Sequence, residues 1–380
     1  MSTSSNPIRL EVFRPSLRQA EAEAAYKTIL SGWTGYGPKV REFEMAWAAE
    51  IGQSPFNVVS LNCATEALYQ VFDLLSQERV GGDVILPAIC YVGAANAALA
   101  AEFSVVLCDV DPRTLNPTLA HLQARLTSRT RAVLVQHYGG VACENMFGIM
   151  AFCQEHGLAL IEDAACSPAT ISEGKRAGTW GDFGIWSFDS MKVVTSIDGG
   201  LLWCRDEIEA GKIRRASLLG MNVASGSEGE SNRWWEFTVD RLGRRAIMND
   251  VQAAIGIEQI KELSTLVAAR RERWIEYYSR LRPLNWLHVP LVMPPEQHSY
   301  YLFWVQTEYR NMLARYLRDH GVYTTFRYWP LHRVYGWIAN VPGADRAAEH
   351  TLNLPLHAEM SLADVDWMCD LIEGFGRINA

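Results

Sequence analysis

From about residue 57 to residue 205 the chain alternates short, unbroken apolar runs with longer stretches of helical spacing. The apolar runs are Asn57–Ser60, Asp83–Pro87, Ser104–Cys108, Ala132–Gln136, Leu158–Glu162, Gly184–Phe188 and Gly200–Cys204. A strand with one wet face alternates apolar and polar residues. These runs do not alternate, so they read as strands buried on both faces. The helical stretches between them include Thr65–Gln77, Thr118–Leu126 and Glu144–His156. This order predicts an α/β fold whose large domain carries a mostly parallel, seven-stranded sheet. Asn222–Asn232 (NVASGSEGESN) is small, polar and glycine-rich, and reads as a surface loop. Helical periodicity then runs from Asp250 to Leu281, predicting one long connecting helix. The expected division is a large domain at 1–249 and, over 250–380, that helix with a smaller C-terminal α/β domain.

Composition narrows the function. The 380 residues carry 35 Lys+Arg against 43 Asp+Glu, a net charge of −8, with no basic stripe for nucleic acid. Eight cysteines are scattered without a CxxC pair, so neither a zinc site nor a disulfide scaffold is expected. Reduced thiols and an N-terminus without an apolar core to its leader point to the cytoplasm. Val84–Ala101 is uncharged and long enough for a marginal membrane span, but Pro87, Gly93 and Asn96 interrupt it. Strand, loop and alanine-rich helix is the expected reading, with no membrane contact.

In parallel α/β sheets, chemistry collects at the carboxyl ends of the strands. After the first run comes Cys63-Ala64-Thr65 at a helix start, which suits either an anion site or a plain threonine cap. After the second comes Tyr91, a ring-stacking face or a core aromatic. After the fifth come Glu162 and Asp163; a carboxylate there must be paired, and a protonated pyridine nitrogen, a helix cap or a salt bridge would each serve. After the sixth come Ser187 and then Lys192, one of only six lysines, set among apolar residues. Desolvation there is expected to lower its pKa and make it a nucleophile toward aldehydes. Lysine, acid, aromatic and phosphate cup together are what pyridoxal 5′-phosphate requires.

The chain also resembles a family, over roughly residues 10 to 375. The matching segments include Gly35-Tyr36-Gly37-Pro38-Lys39-Val40 with Phe43-Glu44, Thr65-Glu66-Ala67-Leu68, and Gly82 to Pro87. They continue with Asp109-Val110-Asp111, His137-Tyr138-Gly139, Glu162-Asp163-Ala164-Ala165, Gly181 to Gly184, Lys192, Asp198-Gly199-Gly200, Met248 to Gly256, Pro330-Leu331-His332 and Leu354-Pro355-Leu356. In these it resembles the DegT-type (StrS-like) sugar aminotransferases, pyridoxal-phosphate-dependent transferases of fold type I, the aspartate-aminotransferase fold.

The resemblance implies that Lys192 holds the cofactor as a Schiff base and shuttles the proton, while Asp163 pairs with the pyridine nitrogen. Tyr91 stacks on the ring, and Ala64, Thr65 and Ser187 hold the phosphate. Tyr36, Tyr328 and His332 line the sugar-nucleotide site. It further implies a homodimer with shared active sites, an amino-acid donor such as L-glutamate, and a nucleotide-linked 3- or 4-keto hexose as acceptor, in amino-sugar and polysaccharide biosynthesis. Two positions depart from the pattern. Cys166 stands where the family commonly has Gln beside the ring hydroxyl. Arg245, with Arg244 as competitor, stands where the partner subunit's Asn touches the phosphate. Lys192 argues against the dehydratase subgroup, which has histidine there.

Two rivals remain to be weighed. A nicotinamide dehydrogenase needs G-x-G-x-x-G after the first strand, and Asn62-Cys63-Ala64-Thr65 has no glycine. A non-catalytic regulator on the same fold is the alternative that Cys166 and Arg245 keep open.

Overall fold

A computed structural model describes residues 7–222 and 235–379. The loop expected at Asn222–Asn232 falls, after Asn222, outside the described residues.

The strands are β1 (Val58–Leu61), β2 (Asp83–Pro87), β3 (Ser104–Cys108), β4 (Thr130–Gln136), β5 (Ala159–Asp163), a two-residue pair β6 (Ile171–Ser172) and β7 (Lys175–Arg176), β8 (Phe183–Ser187), β9 (Gly200–Cys204), β10 (Phe303–Gln306) and β11 (Thr351–Leu354). Seven of them form one sheet in the order β1-β9-β8-β5-β4-β2-β3. Only β9 runs against its neighbours, pairing antiparallel with β1 and β8. The others are parallel, for example Ile85 opposite Val106 and Leu134 opposite Ile161. Strands β2, β8 and β9 are buried almost throughout, which explains their unbroken apolar sequence.

Helices cover the sheet: α1 (Gln19–Leu30), α2 (Pro38–Glu50), α3 (Ala64–Glu78), α4 (Val92–Ala100), α5 (Leu119–Gln123), α6 (Met146–Glu155), α7 (Glu207–Ser217) and α8 (Asp250–Lys261). Their starts follow local chemistry. Pro38 opens α2, and side-chain oxygens of Asn145 and Asn249 cap α6 and α8 by accepting from Gly148 and Gln252 amides, at 3.1 and 3.0 Å. Trp47 packs edge-on against Trp186 and Phe188 in the main core. Among the described residues no helix is long and apolar enough to cross a membrane. Val84–Ala101 divides between β2 and α4.

The long helix expected from Asp250 to Leu281 is two helices. Helix α9 (Leu263–Leu281) starts after Glu262, whose φ −92° and ψ 0° leave the helical region. Each piece follows its own buried face, α8 against α1 and α2, and α9 against α13 (Leu362–Asn379), so one straight rod would strip one of those faces. After α9 come the antiparallel pair β10 and β11, with α10 (Arg310–Asp319), α11 (Leu331–Tyr335) and α12 (Pro342–His350). Trp274, Tyr277, Leu313, Leu317 and Phe375 share a second buried core. Leu10 joins that core too: Arg9 N–H donates to Gly321 O at 2.7 Å and Tyr323 N–H to Leu10 O at 2.9 Å. The N-terminal segment therefore packs with C-terminal residues, far from it in sequence.

Candidate active site

Helix α3 begins three residues after β1, with Cys63 as its N-cap and no side chain capping its first amides. Those amides lie at the positive end of a fifteen-residue helix, with the Thr65 hydroxyl beside them. Gly200 makes their position possible: a Cβ there would lie 2.4 Å from the Ala64 nitrogen. Ser187 closes β8 and its Oγ accepts weakly from Asp189 N–H at 3.4 Å. Tyr91 precedes α4, and its ring occupies space that any side chain at Gly93 would take, at 2.6 Å.

The paired carboxylates at the end of β5 point to different places. Glu162 is fully buried and accepts from the amides of Gly178, Trp180 and Gly181 at 2.8, 2.5 and 2.6 Å. His137 completes its shell: Nδ1 accepts from Cys143 N–H, so Nε2 carries the proton and donates to Glu162 at 3.0 Å. Asp163 instead accepts from Ala165 N–H, at 3.0 Å, and lines a cavity. Burial raises its pKa, against the pull of that amide, Lys192 and His137.

Lys192 stands in the turn between β8 and β9, its Nζ 3.7 Å from Cys166 Sγ and 5.1 Å from the centre of the Tyr301 ring. Burial works against the ammonium, but Cys166, Tyr301 and Asp163 around it hold its pKa above the ordinary lysine value. This corrects the expectation of a lowered pKa, which counted desolvation and could not count neighbours. Burial raises the pKa of Cys166 and of Tyr301 as well, and Asp163 is the carboxylate among these neighbours.

A cavity of about 440 Å³ brings together Ala64, Thr65, Tyr91, Asp163, Ser187, Lys192 and Tyr328. Other hollows exist, one of about 720 Å³ beside Trp286 and one of about 480 Å³ between α1 and α8, but neither pairs a buried lysine with a buried acid. A helix start, a buried acid, an aromatic face and a lysine around one cavity fit pyridoxal phosphate.

Residues 15–373 match the DegT/DnrJ/EryC1/StrS aminotransferase family. The chain belongs to that family. Over 371 residues it is 40% identical to the dTDP-4-dehydro-2,3,6-trideoxy-D-glucose 4-aminotransferase of Saccharopolyspora spinosa, covering 95% of each chain. It is 32% identical to the spore coat polysaccharide biosynthesis protein SpsC of Bacillus subtilis over 375 residues, 94% of each. Its fold superposes on the crystal structure of aminotransferase TlmJ from Streptoalloteichus hindustanus with a TM-score of 0.91 and 42% identity, covering 97% of this chain and 99% of that one. Aminotransferases of this family are pyridoxal-phosphate-dependent, and the seven-stranded, mostly parallel sheet is theirs.

Other candidate residues of this aminotransferase lie elsewhere. Cys166 abuts Lys192 and comes within 3.9 Å of the Tyr328 hydroxyl. Tyr36 is outside the cavity, its hydroxyl 3.1 Å from Arg214, which also binds both oxygens of Glu44. His332 is buried in α11 with Nε2 3.1 Å from Asp345, again away from the cavity. Arg245 is exposed, held by its backbone against Leu218, and its side chain has no partner among the described residues. Arg244 is engaged within its own chain by Glu66 and Asp73, at 3.0 and 2.9 Å. Sequence reasoning missed Arg327, Asp198 and Met191, which also line the cavity. The aromatic run around Tyr328 was the available signal for Arg327.

Proposed function

We propose that this aminotransferase moves an amino group from an amino acid, L-glutamate, to the keto carbon at position 4 of a nucleotide-linked deoxyhexose. The observation that carries the reaction is Lys192 and Asp163 facing one cavity beside the start of α3. The substrate class rests on the likeness to the 4-aminotransferase of S. spinosa.

In this reading the amides of Ala64 and Thr65, with the hydroxyls of Thr65 and Ser187, grip the cofactor phosphate. Asp163 would accept the hydrogen bond of the pyridinium N–H and keep that nitrogen protonated, while Tyr91 would cover one face. Pyridoxal phosphate, when bound, supplies a carbonyl carbon to carry the amino group and a ring that takes up the electrons released at the donor's α-carbon. Lys192 would hold that carbonyl carbon in the resting enzyme. Its amine, once free, would move the donor's α-proton, as base and then acid. With the keto-sugar it makes the same two moves in reverse. Cys166 packs against the side of Lys192. Tyr328 borders the mouth toward the sugar, whereas Tyr36 and His332 act through Arg214 and Asp345 on the frame.

We further infer a homodimer in which Arg245 reaches the phosphate of the partner's site. Its guanidinium, without a partner among the described residues, supports this, as do the exposed Phe237, Val239 and Leu242 just before it. Eight unpaired cysteines, seven of them buried, support work in the cytoplasm.

The first test is the visible absorption spectrum of the purified protein before and after glutamate. A yellow band that glutamate bleaches is the expected result. A protein that stays colourless after reconstitution with pyridoxal phosphate overturns the reading.

A further inference from the structure

Arg327 lines the active-site cavity and is half-buried, yet it has no carboxylate partner among the described residues. Its guanidinium lies 4.4 Å over the Phe13 ring, donates to the Met191 thioether, and meets the Tyr328 hydroxyl. The backbone beneath it is pinned: Arg327 N–H donates to Asn353 Oδ1 at 2.7 Å, and its carbonyl accepts from the Tyr138 hydroxyl. A guanidinium does not shed its proton, so partial burial against a ring and a thioether costs free energy until an anion arrives. The frame is fixed and the fork is left for something outside the chain.

We propose that Arg327 is the residue that binds the α-carboxylate of the amino donor. This rests on the transamination reading above. Both substrates bring anions, and position separates them. The donor's carboxylate is one carbon from the nitrogen that changes hands at Lys192. The acceptor's diphosphate is separated from its keto carbon by the breadth of a sugar ring. Arg327 sits at the lysine end: its guanidinium reaches the thioether of Met191, the residue before Lys192, at 2.8 Å, and all three line the same cavity. A planar fork there can take both oxygens of one carboxylate.

The test separates the half-reactions on the cofactor-loaded protein, each followed by absorbance. In Arg327→Gln, the glutamate concentration for half-maximal conversion should rise about 10- to 100-fold, the range for a charged hydrogen-bond pair. Conversion of the amino form by the nucleotide keto-sugar should change less than about threefold by the same logic. Calorimetric titration with maleate, a carboxylate that cannot react, should show binding to the wild type and its loss in the variant. If Arg327→Gln folds poorly, Arg327→Lys keeps the charge but not the fork, and should still weaken glutamate and maleate. Undiminished glutamate and maleate binding in both variants overturns the assignment, as does a defect confined to the keto-sugar. A wild-type protein that no amino acid converts defeats the transamination reading itself, and shows this before any variant is made.

Discussion

Glu162 and Asp163 are neighbours in sequence with the same functional group, and only their surroundings divide their work. Three amides and His137 consume Glu162, so it orders the loop at 178–181. Asp163 accepts from one amide and lines the cavity, so it can serve a ring nitrogen. No spacing rule assigns these roles, because alternate residues of a strand point to opposite faces and the choice of face belongs to the sheet. Lys192 was easier to find, being a scarce residue among apolar ones, yet its charge state was misjudged for want of its neighbours. Lys192→Ala removes the group that moves the proton. Turnover should fall by at least about 10²- to 10⁴-fold, with cofactor retained noncovalently on Asp163 and α3. Product formation over many turnovers checks it, and near-native turnover would sink the proton-transfer role. Arg327 was invisible for the opposite reason: an arginine signals a binding role through what it lacks, and a missing carboxylate is a fact of three dimensions.

Strands and helices were legible where the period was long and unbroken. The runs Asp83–Pro87, Ser104–Cys108 and Gly200–Cys204 are strands with those bounds. Helix α5 is short, five residues where Thr118–Leu126 was expected, because the capping box of Thr118 and His121 starts it and Ala124 already ends it. The break at Glu262 escaped notice because periodicity continues across it while the buried face changes partner. One buried cluster shows how elements are tied. Glu44 on α2 accepts from the Ser60 amide and hydroxyl at 2.8 Å on β1 and pairs with Arg214 on α7 at 2.8 Å. Removing the carboxylate leaves that guanidinium without its anion. Glu44→Ala should therefore lower stability by about 3 kcal/mol, read as a shift in the urea midpoint with unchanged slope. Glu162→Gln should cost a similar amount, on the order of 3 kcal/mol, since an amide cannot accept at every oxygen site that Glu162 fills. Wild-type midpoints in both variants would show these networks to be incidental.

Two properties belong to the whole molecule. Its response to acid follows in part from His298, which is buried, with Nδ1 accepting from Tyr300 N–H at 2.9 Å. Burial drives its pKa down to about 3, and burial beside Arg270 and Arg14 takes His357 to about 4. Both lie below the unfolded value of about 6.5, so the unfolded chain binds protons first. Stability is whole above that pH and is lost as pH falls toward 3, by about 1.4 kcal/mol per unit from His298. Urea unfolding at pH 7 and 5 should show the fall, and His298→Phe should flatten it whatever its absolute stability. The second property is assembly. If Arg245 serves the partner's phosphate, a site needs Lys192 from one chain and Arg245 from the other. Lys192→Ala and Arg245→Ala proteins are each expected to be nearly inactive. Mixed in equal amounts after exchange of subunits, half of the dimers are hybrids, and in each hybrid one site regains both residues. Activity should then return to about a quarter of wild type per site, by the symmetry of a two-fold dimer. Sites built within one chain give no recovery on mixing, since every chain carries its own defect. A quarter regained would place Arg245 across the interface, whereas none regained would return it to the surface of its own subunit.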